Sequence, residues 1–210
     1  MATETEKSLV EKGEMLPIME HFYTLQGEGA HSGKAAYFIR VGGCDVGCHW
    51  CDVKESWDAD LHPLMEVNQL AEIAAQHCKM IVLTGGEPLM YNLNPLTSRL
   101  KELGCDIHIE TSGAHPLSGQ LDWITLSPKK RKLPLPEIYL KANELKCIIF
   151  NQHDFKFAEE QAEKVNKNCL LFLQSEWSKK EKNYSEISKY ILKNPKWQAS
   201  VQTHKYLNIP

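Results

Sequence analysis

The chain has 210 residues, 42% of them hydrophobic and 24% charged, with a formal net charge of −3 at pH 7. This size and composition are typical of a single globular domain that can bury a core without disulfides. The negative charge argues against a general nucleic-acid binder, and no apolar run reaches the roughly 18 residues of a membrane-spanning helix.

The first residues differ in composition from the rest. Residues 1–16 are rich in Glu, Lys and Thr and lack the apolar core of a signal peptide. We therefore expect a flexible tail over 1–16 and a single domain over 17–210. Cys105, Cys147 and Cys169 lie in or beside apolar runs, which predicts buried free thiols and a cytoplasmic, reducing compartment.

Short apolar runs alternate with amphipathic segments along the chain. Strands are predicted over Ala36–Val41, Met80–Thr84, Asp106–Glu110, Trp123–Leu126, Leu145–Phe150, Leu170–Gln174 and Gln198–Gln202. Helices are predicted over Val67–His77, Asn94–Leu103, Asp154–Val165 and Tyr184–Leu192. Such alternation indicates an α/β fold in which crossover helices join parallel strands.

Residues capable of chemistry follow the ends of these strands. The segments concerned are Cys44–Cys51, Thr84–Pro88, Glu110–Gly113, Ser127–Lys129, Gln174–Trp177 and Gln202–His204. Because parallel strands build their sites at their carboxyl ends, we expect these segments to meet at one rim. The basic run Lys129-Lys130-Arg131-Lys132 at this rim is interpreted as a solvated loop in preference to a polyanion-binding patch.

Three cysteines, Cys44, Cys48 and Cys51, occur in one loop with C-x3-C-x2-C spacing. A [4Fe–4S] cluster is normally closed by four thiolates, so three leave one iron open to a ligand that is not protein. A structural zinc site completed by His49 or a distant cysteine, and a redox pair of Cys48 and Cys51, are the alternatives. The spacing favours the cluster.

The cysteine loop resembles that of the radical S-adenosylmethionine enzymes, with the aromatic Trp50 before the last cysteine. Thr84-Gly85-Gly86-Glu87-Pro88 resembles the same superfamily's GGEP motif, which contacts the methionyl amine. Two glycines allow a close backbone approach, and exposed carbonyls together with Glu87 would suit an ammonium group. The resemblance implies a radical S-adenosylmethionine core: a partial (incomplete) TIM-like barrel of six to seven mostly parallel strands.

A narrower resemblance extends from Phe22 to Pro210. Phe22–Gly29, Arg40, the short cysteine loop, Glu110–Gly113, Ser127–Lys129 and Gln202–Pro210 are together similar to the 7-carboxy-7-deazaguanine synthases. That family converts 6-carboxy-5,6,7,8-tetrahydropterin to 7-carboxy-7-deazaguanine and ammonia, towards queuosine and other 7-deazapurines. The resemblance implies a lyase in which a deoxyadenosyl radical takes hydrogen from C6 of the pterin.

The resemblance also implies roles for individual residues. Cys44, Cys48 and Cys51 would bind the cluster. The residues expected at S-adenosylmethionine are Trp50, Cys51, Asp52, Gly86, Ser127, Pro128, Lys129, Gln174, Ser175, Glu176 and Trp177. Those expected at the pterin are Leu25, Gln26, Gly27, Arg40, Thr84 and the C-terminal Pro210. Glu28 joins them because its carboxylate complements the N–H donors of a guanidine-like edge, and the guanidinium fork of Arg40 suits a carboxylate. No side chain is assigned as general acid or base.

Magnesium is a further cofactor of the family, commonly held by a Thr or Ser after the Cys-Asp pair. Here that residue is Val53, whose side chain has no oxygen. Since Mg²⁺ prefers oxygen ligands, either substrate, water and a group such as Asp52 hold the ion, or the dependence on it is weakened.

Two other functions remain open at this stage. A glycyl-radical-enzyme activase shares the cysteine spacing, but its protein substrate would not require the Gln26-Gly27-Glu28 and C-terminal segments. The third candidate is a non-enzymatic metal-cluster protein. For the favoured function we expect a small-molecule pterin substrate, an external one-electron reductant, a homodimer, and neither nucleic acid nor membrane as partner.

Overall fold

The structure, a computed structural model, describes residues 3–210. Its strands are β1 (Met15–Leu25), β2 (Ala35–Val41), β3 (Leu64–Glu66), β4 (Met80–Gly85), β5 (Asp106–Thr111), β6 (Trp123–Leu126), β7 (Glu144–Ile149), β8 (Leu170–Ser175) and β9 (Trp197–Ser200). Its α-helices are α1 (Glu4–Lys12), α2 (Val67–His77), α3 (Asn94–Glu102), α4 (Pro136–Lys141), α5 (His153–Ala162), α6 (Lys180–Lys193) and α7 (Thr203–Leu207). In the described part of the chain, no helix is long and apolar enough to cross a membrane.

The strands form one sheet in the order β3-β1-β2-β4-β5-β6-β7-β8-β9. Strand β1 pairs antiparallel with β2 and β3, whereas each neighbouring pair from β2 to β9 is parallel. Strands β3 and β9 are its two edges, so the sheet does not close on itself. The predicted α/β fold with a partial barrel of six to seven mostly parallel strands is therefore confirmed, with an antiparallel extension that was not predicted.

Each predicted strand and helix is present, with ends that differ by a few residues. Helix α2 matches its prediction because Glu66 accepts hydrogen bonds from the amides of Asn68 and Gln69 and so fixes the start. The predictions missed β1, β3, α1, α4 and α7. Three of these have six residues or fewer, and Pro17 interrupts the pattern of β1.

The segment expected as a flexible tail needs correction from Thr3 onward. Helix α1 is closed by a capping box, in which Thr3 and Glu6 each bind the other's backbone amide, and it ends at Gly13 in the left-handed conformation. The helix buries no residue, which is why its composition resembled a tail. The chain then enters the sheet at Met15, and Leu16 is fully buried. The boundary of a single domain at residue 17 stays a prediction.

The two faces of the parallel strands differ in chemistry. On β7, Leu145, Cys147 and Ile149 pack into the hydrophobic core with the helices, while the alternating residues Glu144 and Lys146 point to the other face. The three isolated cysteines of the sequence prediction, Cys105, Cys147 and Cys169, are buried as expected. One face of the sheet is thus apolar and covered, and the other is polar.

The loop between β1 and β2, residues 26–34, crosses the polar face. The amide of Gly29 donates to Ser200 Oγ on β9 (3.0 Å), and the amide of Ala30 donates to a carboxylate oxygen of Glu144 on β7 (3.0 Å). A Cβ on Gly29 would lie 2.0 Å from Glu144 Oε1, so only glycine allows this approach. The loop therefore bridges the two sides of the open sheet.

Replacing Leu16 tests the corrected N-terminal segment. We expect Leu16→Ala to lower the free energy of unfolding by about 2–5 kcal/mol, because it leaves a cavity in the core. The exposed Leu192 provides the matched control, since it is 84% exposed and its replacement by Ala should change stability by less than about 0.5 kcal/mol. Urea unfolding followed by circular dichroism measures both, and equal small effects would restore the tail interpretation.

Candidate active site

One cavity opens at the carboxyl ends of the parallel strands and brings the expected segments together. Among the residues predicted for the site, only Pro128 does not line the cavity. Pro128 is buried next to Ser127 and Lys129, which do. The predicted residues that line the cavity are Leu25, Gln26, Gly27, Glu28, Arg40, Cys44, Cys48, Trp50, Cys51, Asp52, Thr84, Gly86, Ser127, Lys129, Gln174, Ser175, Glu176, Trp177 and Pro210. Convergence of distant segments on one rim is as predicted, while the role of each residue stays a prediction.

The cysteine loop begins where β2 ends and is tied at its base to a later turn. The amides of Gly43 and Cys44 donate to the carbonyls of Ser56 (2.6 Å) and Trp57 (3.1 Å). Burial raises the pKa of the Cys44 thiol, although hydrogen bonds from the amides of Val46 and Gly47 oppose the rise. Both amides are aimed at the sulfur, which is the arrangement that stabilises a metal-bound thiolate.

The donor set fits an iron–sulfur cluster. Cys44, Cys48 and Cys51 are free, partly exposed thiols that line the same cavity. Within residues 3–210, no three His, Cys, Asp or Glu side chains converge closely enough to hold a single metal ion. Three thiols from one loop can bind three irons of a [4Fe–4S] cluster and leave the fourth iron open.

Gly85, the last residue of β4, and Gly86, which follows it, allow close contact with β2 and with the cysteine loop. A Cβ on Gly86 would lie 2.1 Å from the Gly43 carbonyl oxygen, and one on Gly85 would lie 2.3 Å from that of Val41. The amide of Glu87 donates to the same Gly43 carbonyl at 2.9 Å. The close approach that the glycines permit is therefore, in this structure, between two loops of the protein itself.

The carboxylate of the motif residue Glu87 is hydrogen-bonded within the protein. Its carboxylate accepts four hydrogen bonds, from the amides of Leu89 (3.1 Å) and Ser112 (2.8 Å) and from the hydroxyls of Thr111 and Ser112. A carboxylate has about four acceptor positions, so none is left for an ammonium group. The buried Glu87 instead joins the end of β4 to the end of β5, and backbone carbonyls remain as the acceptors for an amine.

On the β6 side, Lys129 lies at the cavity wall. Its Nζ donates to the carbonyl (2.7 Å) and hydroxyl (2.6 Å) oxygens of Ser127 and lies 5.6 Å from the centre of the Trp50 ring. Burial lowers the pKa of Lys129, and the nearby Cys48 opposes this. A thiolate at Cys48 would thus be accompanied by a cation on its own side of the cavity.

The wall formed by β8 is held by hydrogen bonds. Gln174 accepts from Ser200 Oγ at 2.6 Å, and Glu176 caps the following turn through Ser178. Trp177 packs edge-on against Tyr206 of α7, with ring centres 5.5 Å apart, and Lys180 Nζ lies 3.7 Å from the centre of the Trp177 ring. The segment therefore anchors the C-terminal helix as well as lining the cavity.

The C-terminal segment closes the opposite wall. Thr203 donates its amide to the Gly27 carbonyl (2.9 Å), and Thr24 Oγ1 donates to the Pro210 carbonyl (3.2 Å). A Cβ on Gly27 would lie 2.1 Å from His204 Nδ1, so this loop position requires glycine. The chain end, expected to project into the site, lines the cavity.

Arg40 both pairs with a carboxylate of the protein and lines the cavity. Its Nε donates to Glu20 Oε1 at 2.6 Å, while its side chain is 19% exposed and lines the cavity beside its strand neighbour Thr84. Within residues 3–210, no side chain or carbonyl accepts a hydrogen bond from its Nη1 or Nη2. The ion pair fixes the guanidinium and leaves its outer edge available.

The most strongly charged part of the cavity was not predicted. Lys146 is 4% exposed and forms ion pairs with Glu28 and, at 3.0 Å, with Glu110. Burial opposes ionisation of Glu28, but the attraction and hydrogen bond of Lys146 lower its pKa to about 2. Burial likewise opposes the charge of Lys146, but the three surrounding carboxylates Glu110, Glu28 and Glu144 raise its pKa. The ion cluster is therefore charged at neutral pH.

A signal for this cluster was present in the sequence. Glu144 and Lys146 are separated by one residue in an otherwise apolar strand, Glu-Leu-Lys-Cys-Ile-Ile. Such spacing places both charges on one face of a strand, which indicates a polar interior facing a site. Gln26 extends the network, since its Nε2 donates to Glu110 Oε1 at 3.0 Å.

The fold and this site define the class of the protein. The family model of the Radical SAM superfamily matches residues 38–129, which span the cysteine loop, the Gly85-Gly86 turn and Lys129. A crystal structure of QueE from Escherichia coli aligns with a TM-score of 0.82 at 30% sequence identity, covering 96% of this chain and 100% of that one.

Relatives in other organisms specify the family. A 7-carboxy-7-deazaguanine synthase of Flavobacterium psychrophilum is 63% identical over 210 residues, covering 100% of both chains. The synthase of a Synechocystis species is 52% identical, with 92% of this chain and 93% of that protein covered. That of Escherichia coli K12 is 34% identical, with 92% and 98% covered. The chain belongs to the 7-carboxy-7-deazaguanine synthase family.

Replacing Lys146 tests the ion cluster. We expect Lys146→Met to destabilise the protein by about 3–5 kcal/mol at neutral pH, because it leaves carboxylates buried without their cation. In the wild type, the lowered pKa of Glu28 contributes stability that is present at neutral pH and is lost as pH falls towards about 2. In the variant, burial raises the pKa of the carboxyls, so the deficit should widen between about pH 4 and about pH 8.

Urea unfolding of the two proteins across this pH range measures the difference. Lys130→Met is the control, because Lys130 is 49% exposed and pairs with Asp154 outside the cluster. A deficit for Lys146→Met that does not change with pH would contradict the assignment of charge to Glu28 and Glu110.

Proposed function

We propose that this protein converts 6-carboxy-5,6,7,8-tetrahydropterin to 7-carboxy-7-deazaguanine with release of ammonia, in 7-deazapurine (queuosine) biosynthesis. The observation that carries the proposal is a single cavity lined by three cysteines on one side and the Leu25–Glu28 loop on the other. Membership of the synthase family favours this function over a glycyl-radical-enzyme activase and over a non-enzymatic cluster protein.

The cofactor side of the cavity is assigned to the cysteine loop and its neighbours. Cys44, Cys48 and Cys51 would hold a [4Fe–4S] cluster, with S-adenosylmethionine beside it along Trp50, Asp52, Gly86, Ser127, Lys129 and the Gln174–Trp177 segment. When bound, the cluster and S-adenosylmethionine supply an electron and a carbon radical that takes hydrogen from the substrate. The protein holds the thiols in place through the backbone ties of Gly43 and Cys44 and through the approach of Gly86.

The substrate side carries complementary charges for a carboxylated pterin. The open edge of the Arg40 guanidinium faces the cavity and suits the carboxylate. Glu28 uses one carboxylate oxygen for Lys146 and the other for Gln202 Nε2 (2.9 Å), which leaves acceptor positions for ring N–H groups. Gln202 Oε1 is buried without a partner among the described residues, and a substrate N–H would satisfy it.

The ion cluster keeps Glu28 charged. Because Lys146 holds the pKa of Glu28 low, this carboxylate remains an acceptor whether or not substrate is bound. An amino-pyrimidine edge donates hydrogen bonds, so it is bound without proton transfer from the protein. The task of these residues is to orient the ring, and no side chain is assigned as general acid or base.

Magnesium is proposed with a weakened role. Val53 lines the cavity where the family commonly has a hydroxyl, and Asp52 is engaged by Lys205 Nζ at 2.8 Å. Burial opposes ionisation of Asp52, but the Lys205 hydrogen bond lowers its pKa overall, so the carboxylate is already paired with a cation. We therefore favour weak Mg²⁺ dependence over ligation by Asp52.

The expected partners and location complete the proposal. An external one-electron reductant is required by the chemistry, and the free thiols of the cysteine loop suit the reducing cytoplasm. Exposed apolar side chains, among them Leu140 and Leu207, are available for the proposed homodimer. Neither nucleic acid nor membrane has a part in this function.

Anaerobic reconstitution followed by turnover tests the function. We expect formation of 7-carboxy-7-deazaguanine from 6-carboxytetrahydropterin without net consumption of S-adenosylmethionine, measured by liquid chromatography. Cys48→Ala should abolish cleavage of S-adenosylmethionine because it removes a cluster ligand. Cys169→Ala is the matched control, since Cys169 is buried in the core, and it should retain activity. Equal losses in the two variants, or product absent from the wild type, would contradict the assignment.

Restoring the hydroxyl at residue 53 tests the role of magnesium. We expect the wild-type rate to rise less than about twofold on addition of Mg²⁺, and that of Val53→Thr to rise severalfold, because threonine supplies an oxygen ligand of nearly equal size. Initial rates in chelator-treated buffer with graded Mg²⁺ provide the comparison. A wild-type enzyme that loses most of its activity without Mg²⁺ would instead favour ligation by substrate, water and Asp52.

A further inference from the structure

The basic run Lys129–Lys132, interpreted from the sequence as a solvated loop, has exposed residues at Lys130 and Arg131 and also makes specific contacts. Each of its four side chains has a partner. Lys129 binds Ser127, and Lys130 pairs with Asp154 at the start of α5. The other two, Arg131 and Lys132, reach from the β6–α4 connection to the cysteine loop, more than 80 residues earlier in the chain.

Arg131 contacts the backbone of the cysteine loop. Its Nη1 donates to the Gly47 carbonyl at 2.6 Å, and this carbonyl belongs to the peptide that leads into Cys48. A charged donor makes this bond stronger than one between neutral groups. The bond therefore fixes the peptide plane immediately before the second cysteine of the loop.

Lys132 contacts the loop through Asp45, the residue after Cys44. Its Nζ donates to Asp45 Oδ2 at 2.5 Å, and His115 lies 3.0 Å from Asp45 Oδ1 on the other side of the carboxylate. The Asp45 side chain is thus held by groups from two different connections, those after β5 and β6.

Between its base and Cys51, the loop has few other ties. Within the described residues, the backbone bonds of residues 44–51 to one another and to the rest of the chain are those of Cys44 to Trp57 and of Cys51 to Cys48. A loop with so little regular structure would sample many conformations, and bringing three thiols to one cluster would cost conformational entropy. Contacts that order the loop beforehand reduce this cost.

We propose that Arg131 and Lys132 are positioning residues that clamp the cysteine loop, through Gly47 and Asp45, in the conformation that retains the cluster. The proposal rests on the proposed function in taking Cys44, Cys48 and Cys51 as cluster ligands. It adds a role for a segment that neither the cysteine motif nor the substrate side of the cavity includes. Since Arg131 and Lys132 do not supply ligands, their effect should be on retention of iron and not on the number of irons bound.

The experiment measures iron release. Wild type, Arg131→Ala, Lys132→Ala and Lys130→Ala are reconstituted anaerobically, freed of excess iron and sulfide, and mixed with an iron chelator whose absorbance reports the released metal. We expect roughly tenfold faster release from Arg131→Ala and Lys132→Ala, because each loses a hydrogen bond to a charged group. Lys130→Ala is the matched control from the same run and should release iron at the wild-type rate.

Arg131→Lys and Lys132→Arg separate positioning from folding, because they retain a charged donor and should return release to within about twofold of wild type. Thermal unfolding of each apoprotein accompanies the assay. Wild-type release rates in both alanine variants, or equal acceleration in Lys130→Ala, would overturn the clamp while leaving the function intact. A wild-type protein that binds no cluster would instead overturn the proposed function.

Discussion

The polar interior of this fold depends on one buried cation. An open parallel sheet with helices on its outer side must still fill its inner face, and here that face carries Glu28, Glu110 and Glu144. Three carboxylates in low dielectric would repel one another and favour protonation. Lys146 makes the arrangement possible by pairing with two of them. Because Glu28 comes from the β1–β2 loop, the same cation also holds that loop across the sheet.

A second constraint is that glycines occupy the positions where separate segments of the chain come into close contact. Gly86 touches the cysteine loop, Gly27 touches His204 of the C-terminal segment, and Gly29 touches Glu144. At each position a Cβ would lie within 2.1 Å of a heavy atom. These contacts leave no space for a side chain where Gly86 meets the cysteine loop, where Gly27 meets the C-terminal segment and where Gly29 meets β7. The glycines are therefore needed for contacts within the protein itself.

The sequence predicted what periodicity and local motifs encode, and little of what depends on long-range pairing. The parallel strands and α2 follow from apolar patterns, and the three cysteines indicate their chemistry by spacing alone. Helix α1 was missed because its stability comes from the Thr3 cap and not from a buried face. The partners of Lys146 and Glu87 could not be predicted, since their acceptors and donors come from other strands. Motif resemblance located Glu87 but not the hydrogen bonds that it makes within the protein.

The C-terminal segment illustrates why a site residue can lie at the end of a chain. Gln202 binds Glu28, Thr203 binds the Gly27 carbonyl and Lys205 binds Asp52. One short segment therefore contacts both the Leu25–Glu28 loop and Asp52, the residue that follows the cysteine loop. A terminus normally frays unless such contacts hold it. Because this segment leads to Pro210, which lines the cavity, the same contacts determine the position of the chain end and part of the geometry of the site.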